Sequence, residues 1–192
     1  MALTNGLVVM TPSSVAKTGT GSTATINSNG SVTFESCETL SLNGIFTTDY
    51  DNYMIVMRNY AQIAASTVMY GRLRASGTDN TTASSYVSQR LRADSTTVSG
   101  ARTTADSWQN FFRTGDVTLT TLRGGATIYL FGPKLAQPTA MRTVIVDTTS
   151  GAYFQDAAGL HTQATAYDGL TCFASAASRS ITGLVTVFGF NQ

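Results

Sequence analysis

The sequence predicts an all-β protein, an antiparallel β-sandwich of jelly-roll type, and three observations carry that prediction. Ser and Thr together make up 51 of 192 residues, and Thr alone, at 32, outnumbers the 12 basic and 11 acidic residues combined. Only Lys17 and Lys134 are lysines and only Glu35 and Glu38 are glutamates, so the residues that usually coat a surface helix are nearly missing. Thr, Tyr, Phe and Val suit a pleated, half-buried surface instead. Short alternating segments then recur with turn signals between them at roughly 8–15-residue spacing, with no helical pattern interposed. A chain of 20.3 kDa is long enough for one domain that buries about 70% of its unfolded surface.

Taken in order, residues 1–23 read as an N-terminal extended arm. Thr11-Pro12-Ser13-Ser14 and Thr18–Thr23 are linker-like, and Leu7, Val8, Val9 and Met10 form one apolar patch expected to dock on the body or on a neighbouring subunit. Residues 24–192 read as a single sandwich domain. Ala24–Asn27 and Ser31–Glu35 flank Ser28-Asn29-Gly30, a hairpin signal, and a second Asn-Gly follows Leu40-Ser41-Leu42 at Asn43-Gly44. Tyr53–Met57 is apolar on both faces and predicts a central strand covered on both sides. Thr67–Ala75 alternates, with Met69 and Leu73 on one face and Val68, Tyr70, Arg72 and Arg74 on the other, and Tyr86–Arg92 repeats the habit. Further strands are expected at Val117–Leu122, Ala126–Phe131, Thr143–Asp147, Ala152–Gln155, Leu170–Ala174 and Ile181–Phe190, about ten to twelve in all. Ala101–Phe112 is the one window where a helical turn or two would fit, although Thr103 and Thr104 weaken it.

The N-terminus carries no basic leader, its apolar run is short, and no segment approaches the ~20 apolar residues that span a bilayer, so the expectation is a soluble protein made in a cytoplasm. Cys37 and Cys172 are expected as reduced thiols packed in the core, and no Cys/His spacing suggests zinc. A net charge of +1 offers no footprint for nucleic acid or a membrane. With two Lys and three Pro, the sheet edges lack their usual guards, which predicts that other copies of the chain cover them.

Two near-repeats, Arg72-Leu73-Arg74-Ala75 and Arg90-Leu91-Arg92-Ala93, each place two guanidinium groups on one strand face. On neighbouring strands, Arg72, Arg74, Arg90 and Arg92 would gather into a site for an anionic glycan, phosphate or acidic partner. The plainer expectation is pairing with Asp79, Asp94 and Asp106. Trp108, Phe111 and Phe112 are candidates for glycan stacking or a subunit contact, with packing as the alternative. His161, the single histidine, stands without a Gly-x-Ser-x-Gly elbow and reads as a strand or turn residue. Asp49 and Asp51 read as turn chemistry and only weakly as a Ca²⁺ site. No catalytic residue, metal or cofactor is expected.

Asn29–Phe34, Leu40–Phe46 and Tyr50–Val56, with the later Arg72–Asp79, Tyr86 and Gly183–Phe190, resemble a group of virion structural proteins of tailed phages. The resemblance covers roughly residues 25–192 and rests on turns and strands. It implies a small jelly-roll-like sandwich on the virion, assembled in the host cytoplasm, usually as homotrimers, among other virion proteins. The expected role is non-enzymatic: a tail- or fibre-associated module that contributes to host attachment, with a host surface glycan as a candidate partner. The alternatives are a capsid decoration protein and, less in keeping with one His and two Glu, a glycan-degrading depolymerase.

Overall fold

The computed structural model describes residues 6–61, 67–114, 124–147, 153–176 and 179–191. Among these residues there is no helix, and sixteen strands form two antiparallel sheets packed as a sandwich. In chain order they are β1 (Val8–Val9), β2 (Ser14–Thr18), β3 (Thr23–Ile26), β4 (Val32–Cys37), β5 (Thr39–Asn43), β6 (Asn52–Ala61), β7 (Thr67–Ala75), β8 (Thr78–Asp79), β9 (Tyr86–Asp94), β10 (Thr97–Asp106), β11 (Gln109–Thr114), β12 (Gly124–Phe131), β13 (Thr139–Asp147), β14 (Tyr153–His161), β15 (Gly169–Ala174) and β16 (Ile181–Phe190). The large sheet runs β10-β9-β14-β13-β12-β6-β16-β4-β3, with β1 also on β16; the small sheet runs β11-β7-β15-β5-β2, with β8 on β7. The chain therefore passes back and forth between the layers, and most of its pairings are distant in sequence.

Alternation decides what is buried. On the large sheet, Phe34, Tyr53, Ile55, Met57, Ile128, Leu130, Ile145 and Val185 point inward; on the small sheet, Leu40, Leu42, Met69, Leu73, Leu170 and Cys172 meet them. Each side chain of this size contributes about 1.5–3 kcal/mol on burial. Cys37 and Cys172 are free, buried thiols, as expected. Burial raises both, and pushes Cys172 up to about 12, so neither supplies a thiolate at neutral pH.

Turn chemistry is where the sequence placed it. Gly30 and Gly44 sit at φ 83° and 68°, and β3 and β4 pair as the expected hairpin. Ser76 and Gly77 both have positive φ between the paired residues Ala75 and Thr78, a two-residue loop whose twist suits a hairpin.

The arm joins the body, with β1 paired to β16 and β2 forming an edge of the small sheet against β5. Within it, Val8 and Val9 pair with Gly189 and Phe188, and the Met10 N–H donates to the Val187 carbonyl at 2.8 Å. Met10 is buried, while Leu7 and Val9 stay exposed, so the apolar patch docks on its own body. Three other expectations are corrected. Ala101–Phe112 holds no helical turn; it spans β10 and β11, because pairing with β9 and β7 outweighs weak local propensity. Tyr53–Met57 is central and its inner face is covered, but among the described residues its outer face is covered only in part, with Met54 half-buried and Val56 40% exposed. The strands also exceed the ten to twelve expected. The strand expected at Val117–Leu122 lies outside the described residues.

Candidate functional site

The face of the small sheet turned away from the core gathers most of the polar candidates. On β7, Met69 and Leu73 point inward, which turns Tyr70, Arg72 and Arg74 outward. Register then sets Phe173 beside Tyr70, Thr171 beside Arg72 and Gly169 beside Arg74 on β15, and Ser41 beside Thr171 on β5.

Arg74 is only 7% exposed. It pairs with Asp79 at 3.2 Å, donates from Nη1 to Thr171 Oγ1 at 2.6 Å and from Nη2 to the Gly77 carbonyl. Thr171 commits its proton to Asp79 Oδ1 at 2.6 Å, so Ser41, 2.8 Å away, must be the donor to Thr171. Gly169 makes room for this: a Cβ there would strike the Leu42 carbonyl and lie 2.8 Å from Arg74 Cγ. The Asp168 carboxylate adds a bond from the Ser76 N–H at 2.9 Å. Arg74 thus fastens the β7–β8 hairpin onto the sheet.

Arg72 is half-buried and does something different. Its Nε donates to the Ser107 carbonyl at 3.0 Å, and its guanidinium carbon lies 4.5 Å from the Phe173 ring centre and 5.9 Å from that of Trp108. Tyr70 completes the group, 5.2 Å from Trp108 at 33° and 5.6 Å from Phe173 at 62°. A planar cation over aromatic faces contributes about 0.5–2 kcal/mol. The result is a partly exposed shelf of three rings and one guanidinium, the composition that stacks on a sugar ring and bonds its hydroxyls or carboxylate.

The four arginines do not gather. Arg90 and Arg92 lie on β9 in the large sheet, whereas Arg72 and Arg74 lie on β7 in the small one, because the chain changes layer between the two strands. Arg92 pairs with Asp94, as Arg74 does with Asp79, so two of the expected Asp partners are used. Arg90 lies between Ala157 and Ala101 in register. Partial burial raises Asp106 from its ordinary value. Phe111 and Phe112 fall on β11, with side chains outside the described residues. Tyr70 and Phe173 were not singled out from sequence: Tyr70 could have been found, sharing a strand face with Arg72 two residues on, but nothing local ties Phe173 to them.

His161 ends β14 inside the core. Its Nε2 is 2.6 Å from the Tyr167 hydroxyl, and the Tyr86 ring lies 4.2 Å from its own at 31°. Tyr86 accepts the Leu73 N–H at 3.0 Å, and Asn80 Nδ2 donates to Tyr167 at 2.8 Å. Burial lowers His161 to about 4, so it is a neutral packing group at pH 7. Asp49 is tied into a turn by Thr47 and Asp51 by Asn191. Among the described residues, no three His, Cys, Asp or Glu side chains converge to hold a metal ion. Neither a family model, nor a curated protein, nor a solved structure matches this chain.

Proposed function

We propose that this chain is a non-enzymatic structural module of a tailed-phage virion, tail- or fibre-associated, that acts as a homotrimer and contributes to host attachment. The observation that carries the attachment role is the shelf of Tyr70, Trp108 and Phe173 around Arg72, which suits a host surface glycan. The resemblance carried by Asn29–Phe34, Tyr50–Val56 and Arg72–Asp79 supports the virion setting, and the Lys-poor edges support assembly with further copies.

The test is adsorption. Purified protein is expected to bind host cells and to compete with phage adsorption. A Trp108→Ala, Arg72→Ala double variant that still melts cooperatively should lose at least about tenfold in binding, the loss of one stacked ring and one charge-assisted bond. Wild-type protein that neither binds nor competes would end the attachment reading. Labelling intact virions distinguishes the tail from the head, where a decoration role would apply instead.

A further inference from the structure

We infer that the outward face of the large sheet is the surface on which another copy of this chain sits. Of the eleven exposed large apolar side chains among the described residues, only Leu7, Ile26 and Leu135 lie off this face. Register shows how continuous it is. One row crosses the sheet from Ala93 through Phe154, Val146, Gly125 and Arg58 to Leu184, each pair directly opposed on neighbouring strands. Val146 is 50% exposed and Phe154 43%. Gly125 falls on β12, the middle strand of the nine, so the centre of the row carries no side chain to hold another sheet away. Val56 lies in the next row.

Two features make a further copy the occupant. The first is extent. Nine strands side by side, at about 4.8 Å spacing and about eight residues each, present on the order of 1,000 Å², and a stable interface needs about 800 Å² from each partner. The second is charge. Arg142 donates to Asp156 at 3.2 and 2.7 Å within the face, and a shallow groove beyond the centre holds Arg58 and Glu35 together. With Arg58, Arg102 and Arg142 against Glu35 and Asp156, the face mixes both signs with a small positive excess, so it raises little like-charge barrier against another copy, and sheets pack face to face at about 10 Å.

The inference rests on the proposed function only in taking the chain as self-assembling. Light scattering at low micromolar concentration is expected to give wild-type protein a mass that is a multiple of 20.3 kDa. A Val56→Lys, Val146→Lys double variant should run as a monomer, its association weakened at least about 100-fold by two charges buried without partners. Leu91→Lys with Phe154→Lys repeats the test on the other half of the face should the first variant not fold. As a control, Ser99→Lys on the β10 edge should leave the mass unchanged. An oligomer that survives the face variants, or dissociates only with Ser99→Lys, overturns the inference and leaves self-assembly standing. A wild-type monomer overturns both.

Discussion

The two outward faces of the sandwich are built from the same alternating strands and are opposite in character. On the small sheet, outward positions hold Ser41, Thr171, Arg72 and Arg74, and the polar atoms of Ser41, Thr171 and Arg74 bond one another across three strands. On the large sheet, outward positions hold Val56, Val146, Phe154 and Leu184, with Arg142–Asp156 set among them. A solvated face should be polar in alternation, and only the small sheet satisfies that rule. The contrast separates two tasks: the small sheet completes its own bonding and presents a few aromatic groups, while the large sheet leaves apolar area uncovered by any described residue.

The largest effect is expected where the small-sheet network is broken. Arg74→Met removes the partner of Asp79 and a donor to Thr171, leaving a partly buried carboxylate uncompensated. It should cost about 3 kcal/mol in urea unfolding, and a loss under 1 kcal/mol would show that the network is decoration.

Between the two faces lies His161, and acid probes it. Burial holds the folded imidazole at about 4, below about 6.5 in the unfolded chain. The unfolded state takes up the proton first, so stability is lost as pH falls from 6.5 towards 4, by about 3 kcal/mol for this group. His161→Gln should flatten that part of the stability–pH curve. An unchanged slope would mean that the imidazole is not held neutral by burial.

Trp108→Ala should cost about 1 kcal/mol of stability through lost ring contacts while removing most glycan or cell binding; loss of stability without loss of binding would make the shelf a packing feature. Smallest of all, Val56→Thr on the large-sheet face should change monomer stability by no more than about 0.5 kcal/mol, yet weaken association in light scattering. Equal effects on both measurements would erase the distinction between the faces.

How much of this was legible in sequence varies by element. The hairpin at Asn29-Gly30, the alternation of Thr67–Ala75 and the core cysteines were readable because turn residues and a period of two are local signals. The window Ala101–Phe112 was not, since β10 is an edge strand of small and polar residues with little propensity of its own. Tyr53–Met57 misled in a more instructive way. An apolar run records that both faces favour burial, but not whether the chain's own layers supply the cover, and for Val56 the described residues do not. The shelf was half legible: Trp108 and Arg72 stood out singly, and 36 positions of chain separated them.

What sequence alone determined is the class of structure: abundant Thr, scarce Lys and Glu, and alternating segments favour pleated strands, because strand geometry and side-chain alternation act over a few residues. Tertiary structure decided the rest. Arg72-Leu73-Arg74 and Arg90-Leu91-Arg92 are locally equivalent, yet one lies in each sheet, and only Arg72 reaches Trp108. Sheet membership follows from pairing between distant segments, and no short stretch of chain carries that information.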